Sequence, residues 1–94
     1  MFITTVDGVV EAAREADLRS AWEDASAVLP AGLIESFLVR ADEGRWRVVT
    51  VWESKDAVMA LRASGNPTAV SMFERAGSTA SLSTWTVESR VAAT

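Results

Sequence analysis

The run RWRVVTVWE, residues 45 to 53, carries apolar side chains on both of its parities. Side chains of a strand alternate between the two faces of a sheet, so Trp46, Val48, Thr50 and Trp52 share one face. Arg47, Val49, Val51 and Glu53 share the other. A sheet with one wet side reads apolar on one parity and polar on the other. This strand does not, so each of its sides needs a cover.

The flanking segments change period several times. Phe2-Ile3-Thr4-Thr5-Val6 is β-branched and aromatic, which suits a strand that Asp7-Gly8 ends or bends. Val9 and Val10 could extend it. From about Ala12 to Leu29, Leu18, Ala21, Trp22, Ala25, Val28 and Leu29 recur at helical spacing, with Arg19, Glu23 and Asp24 on the outer face. Pro30 and Gly32 stop that helix. Leu33 to Arg40 (LIESFLVR) is a second strand, with Leu33, Glu35, Phe37 and Val39 on one parity and Ile34, Ser36 and Leu38 on the other. Asp42-Glu43-Gly44 turns the chain into the third strand, making an antiparallel hairpin.

Ser54 is an N-cap for a short helix that starts at Lys55, turns Val58 and Leu61 inward and ends at Gly65. Asn66-Pro67 repeats the start signal. Ala69, Val70, Phe73 and Ala76 make the inner stripe of the helix that follows, and Gly77 closes it. Leu82 to Val91 alternates as a last strand, with Trp85, Val87 and Val91 on one parity.

The order β-α-β-β-α(α)-β predicts an α+β, ferredoxin-like fold, a four-stranded antiparallel sheet with helices on one face. Those helices cover one parity of the third strand. A second copy of the chain is expected to cover the other, giving a homodimer of two sheets packed face to face about a two-fold axis.

Composition sharpens this picture. A length of 94 residues fits one domain, residues 1–94, and 49% hydrophobic residues exceed what so small a core absorbs, which again favours an oligomer. The net charge is −4, Lys55 is the sole lysine and the arginines are scattered among carboxylates, so nucleic acid is not an expected partner. With no cysteine and no histidine, the chain can form no disulfide, thiolate metal site or histidine relay. MFITTVDGVV lacks the basic start and apolar core of a signal peptide, and no apolar run approaches a membrane span. A cytoplasmic location without membrane contact is expected.

PAGLIESFLVR (Pro30 to Arg40), VVTVWESKDAVMAL (Val48 to Leu61) and the spacing of helix, hairpin and helix around them resemble the antibiotic biosynthesis monooxygenase (ABM) domain family over roughly residues 16 to 91. The resemblance implies a dimeric α+β barrel. It also implies one of several activities, since the family includes cofactor-independent quinone-forming monooxygenases, haem-degrading enzymes and domains without known activity. In the quinone-forming group a strand-end Trp works with an Asn four residues earlier and a Tyr soon after. Here the Trp is Trp52, Val48 occupies the earlier position, and there is no tyrosine. The haem-degrading group needs a helical His, which this chain lacks.

Cofactor-free oxygenation requires a site that binds a flat phenolic or enolic ring, takes its proton and excludes water, after which the anion reduces O2 itself. Trp52 is the catalytic candidate, able to stack on such a ring and to donate its indole N–H to a ring oxygen. As a plain core aromatic it would instead lie beneath the first helix against Trp22 or Phe73. Trp22, Thr50, Trp52 and Phe73 are the expected substrate-binding residues, and Trp46, nearer the turn, is expected to pack at the rim. Thr4, Thr50, Thr84 and Thr86 put hydroxyls into the strands, where one could orient a carbonyl or merely satisfy β-propensity. Arg90 could meet an anionic substrate or form a surface ion pair with Glu88 or a partner-chain carboxylate. Glu35 would be a base only if its parity faced inward, and Glu53 sits at a solvated strand end. Asp7-Gly8 and Asp42-Glu43-Gly44 lack the ligand spacing of a calcium loop, nothing resembles a phosphate loop, and no metal or cofactor is expected. Two readings follow: a small-aromatic or polyketide-like monooxygenase, or a non-catalytic dimeric ligand-binding or accessory domain.

Overall fold

The computed structural model describes residues 1–65 and 68–93. Strand β1 (Phe2–Val9) leads through a single 3-10 turn (Ala12–Arg14) into helix α1 (Glu15–Ser26). The hairpin β2 (Leu33–Arg40) and β3 (Arg45–Trp52) follows, then helices α2 (Lys55–Ala63) and α3 (Thr68–Arg75) and strand β4 (Ser81–Thr86). The four strands form one antiparallel sheet in the order β2-β3-β1-β4, which is the α+β ferredoxin-like arrangement predicted from the sequence.

Register assigns the faces. Phe2, Thr4 and Val6 of β1 stand opposite Trp52, Thr50 and Val48 of β3, and all six are buried on the helix side. The opposite parity carries Ile3, Val49, Val51, Phe37, Val39 and Trp85. Phe37, Val39 and Trp85 are exposed there, so this side of the sheet is apolar and uncovered within one chain. The Trp85 indole N–H donates to Thr5 Oγ1 at 3.2 Å across that face.

Strand β1 does not end at Asp7-Gly8. Asp7 forms an ion pair with its register partner Arg47, which carries the ladder onward. Gly8 then lies beneath Phe73, where a Cβ would sit 2.6 Å from Phe73 Cδ1 and 2.8 Å from Ser78 Oγ. The glycine marks a close approach between sheet and helix rather than a stop. In the β2–β3 turn Glu43 and Gly44 both take positive φ, 61° and 73°.

Other boundaries differ from the sequence pattern. Helix α1 ends at Ser26, so Val28 and Leu29 lie beyond the apolar stripe and are exposed. The last strand stops at Thr86, leaving Val87 outside it and Val91 96% exposed. A register shift at the start of β2 makes Ile34 an extra residue, which moves Leu33 onto the helix face with Ser36 and Leu38. The Asn66-Pro67 start signal lies outside the described residues.

Side chains beneath the helices form two apolar groups. Val6, Val10, Leu18, Ala21, Trp46, Val48, Met72, Phe73 and Ala76 join the sheet to α1 and α3. Phe2, Trp52 and Val58, with Leu33, Ala57 and Leu61 against them, join it to α2. Trp46 is therefore core rather than rim, only 4% exposed. Its ring lies under two guanidinium groups, Arg19 at 5.2 Å and Arg40 at 5.6 Å from the centroid.

Candidate functional site

A cavity of about 320 Å³ opens where the two apolar groups meet. Val6, Trp22, Val48 and Met72 of the first group and Leu33, Trp52, Val58 and Leu61 of the second all line it. Neither group is wide enough to close over the middle of the sheet, where β1 and β3 present Thr4 and Thr50 rather than large apolar side chains. The volume lies in the range of small-molecule sites, and a mostly apolar lining with a few placed polar groups is their usual make-up.

Of the expected site residues, Trp22, Thr50 and Trp52 come together in this lining. Phe73 does not. It is fully buried against Gly8 and Ser78 and belongs to the core. Trp52 lies beneath α2, not beneath the first helix, and is 4% exposed. Its indole N–H donates to Thr4 Oγ1 at 2.9 Å, so that donor is committed inside the protein.

The polar floor consists of hydroxyls. Thr4 and Thr50 are register partners on neighbouring strands, and both are buried. Thr50 Oγ1 lies 2.9 Å from Ser36 Oγ, and Ser36 Oγ donates to the Val49 carbonyl at 3.2 Å. Both bonds are made together when Thr50 donates to Ser36 and Ser36 to the carbonyl. No motif marks Ser36 in the sequence, yet counting back from the hairpin turn pairs it with Thr50.

The charged candidates stay outside. Glu35 faces the opposite parity, paired with Val51, and is exposed although it borders the cavity. Glu53 follows the end of β3 and is exposed, and Arg90 lies on the exposed segment after β4 without an ion pair among the described residues. No group of three or more His, Cys, Asp or Glu that could hold a metal occurs among the described residues. No helix among them is long and apolar enough to cross a membrane.

No family model and no curated protein matches the sequence. Solved structures do. A protein of Deinococcus radiodurans assigned as an antibiotic biosynthesis monooxygenase superimposes with a TM-score of 0.77 at 16% identity, over 100% of this chain and 99% of that one. SnoaB, a cofactor-independent oxygenase of Streptomyces nogalater, gives 0.69 at 21% identity over 96% of each chain. MhuD, a haem-degrading protein of Mycobacterium tuberculosis with two haems in its active site, gives 0.69 at 28% identity, over 98% of this chain and 100% of that one. The chain therefore has the fold of the antibiotic biosynthesis monooxygenases.

Proposed function

We propose that this ABM-fold chain works as a homodimer whose cavity binds a small, flat aromatic or polyketide-like molecule, and that it oxygenates that molecule without a cofactor. The observation that carries the reading is the cavity itself, walled by Trp22 and Trp52 and floored by hydroxyls. A planar ring fits against the Trp52 face, and the apolar walls exclude water from the anion that must react with O2. Trp52 serves by stacking, since its N–H is bonded to Thr4.

Haem does not fit these residues. Proximal ligands of haem proteins are His, Cys thiolate or Tyr, and a Met thioether is used alongside a His. The chain contains no His, Cys or Tyr, and the one thioether in the cavity lining is Met72. The likeness to the haem-degrading structure thus supports a shared fold.

One observation favours a second reading, a non-catalytic binding or accessory domain. Val48 stands four residues before Trp52, and the carboxylate bordering the cavity, Glu35, is on the outward parity. No general base is thereby supplied from this wall. Oxygen uptake with hydroquinone and anthrone-type substrates separates the two. Uptake that falls sharply in Trp52→Phe supports the monooxygenase, and none across the panel supports the binder.

A further inference from the structure

The buried hydrogen bonds of the cavity floor leave one donor over. The Trp52 indole N–H goes to Thr4 Oγ1, the Thr50 hydroxyl to Ser36 and the Ser36 hydroxyl to the Val49 carbonyl. The Thr4 hydroxyl accepts from Trp52, and its own hydrogen has no acceptor among the described residues. Thr4 is 7% exposed, and what surface it keeps lines the cavity. A buried hydroxyl with one partner is ordinarily content, but a hydrogen left without an acceptor away from water is a bond still to be made.

We infer that Thr4 is the residue that selects the ligand: its hydroxyl donates to a carbonyl or phenolate oxygen of a flat apolar molecule, while Trp52 holds that hydroxyl in place. The inference rests on the cavity reading above and refines it. Three features point to an acceptor oxygen rather than to a ligand hydroxyl or cation. The acceptor side of Thr4 is already engaged by the indole, and that bond polarises the O–H outward. Neighbouring Thr50 is already engaged with Ser36 at 2.9 Å, in a pair that makes both of its bonds when Thr50 is the donor. No carboxylate lies on the helix-side parity of β1 or β3 to hold a cation. Towards this hydrogen bond Trp52, besides stacking on the ring, is a positioning residue, and Thr4 is the group that bonds the ligand oxygen.

Matched probes test this. Fluorenone and fluorene have nearly the same flat shape, and only the ketone offers an acceptor oxygen. Their dissociation constants are measured for the full chain, for Thr4→Val, which keeps the side chain's shape, and for Thr4→Ser, which keeps the hydroxyl. The expected result is a preference for the ketone of about tenfold in the unaltered protein, retained in Thr4→Ser and abolished in Thr4→Val. Fluorene affinity should be the same in all three. A ketone preference that survives Thr4→Val overturns the inference, and so does equal binding of both probes by the unaltered protein. In either case the cavity reading stands, because fluorene still binds. If neither probe binds, the cavity reading falls and this inference with it. Trp52→Phe separates the two side chains, since it should retain part of the preference. Loss of the whole preference in Trp52→Phe while Thr4→Val keeps it would assign the contact to the indole.

Discussion

Gly8 shows how far a single side chain can mislead a reading of pattern. Asp-Gly ordinarily marks a turn, yet here the pair lies within a continuous strand, Asp7 tied to Arg47 and Gly8 roofed by Phe73. Gly8→Ala is expected to destabilise the fold by about 1–3 kcal/mol, because the added methyl must displace a fully buried ring. A denaturant titration measures it, and an unchanged midpoint would mean that Phe73 has room to move. Trp46 behaves differently. Its indole N–H is buried without a partner among the described residues, a cost of about 1–3 kcal/mol. The two arginines over its ring return part of this, each contact being worth about 0.5–1 kcal/mol at an exposed site.

Among the elements, α2 walls the Trp52 side of the cavity. Val58 and Leu61 press on the Trp52 side, and the helix starts where Ser54 Oγ accepts from the Ala57 N–H at 3.4 Å. Ser54→Ala should cost about 0.5–1 kcal/mol in a thermal or denaturant melt, and Ser54→Asp should recover it. Equal stability of all three would show that packing alone fixes the helix start. This cap, the hairpin turn and the order of strands and helices were legible in the sequence, since each depends on residues close together in the chain. The ends of α1 and β4 were not. Val28, Leu29 and Val91 continue the apolar spacing, yet Val28 and Val91 are exposed and Leu29, also exposed, only borders the cavity. For the site, parity alone placed Thr50 and Trp52 on one face, and helical spacing aimed Trp22 at it. Phe73 has the same helical spacing, and only the three-dimensional approach to Gly8 reveals it as core. The bond from Trp52 to Thr4 joins residues 48 positions apart, beyond the reach of any local pattern.

At the scale of the whole molecule, the sheet has one covered side and one bare side. Ile3, Phe37, Val39, Val49, Val51 and Trp85 spread apolar surface over the bare side, which is why a face-to-face homodimer is part of the proposed function. Val49→Glu or Val51→Glu would put a carboxylate into such an interface without touching the cavity face. Either should reduce the solution mass from two chains to one, as read by light scattering or sedimentation. A single-chain mass in the unaltered protein would overturn the dimer, and an unchanged dimer in both variants would move the interface elsewhere.

The extra residue at Ile34 also limits what the open border of β2 can do. Strands β2 and β4 flank the sheet, and the N–H and C=O groups along a flanking strand can template further strands. A chain with so apolar a sheet is vulnerable to such growth. The irregularity between Leu33 and Glu35 breaks the rhythm of that border. A bulge of this kind is one of the devices that blunt an open strand border, and here it falls where Leu33 turns toward the cavity.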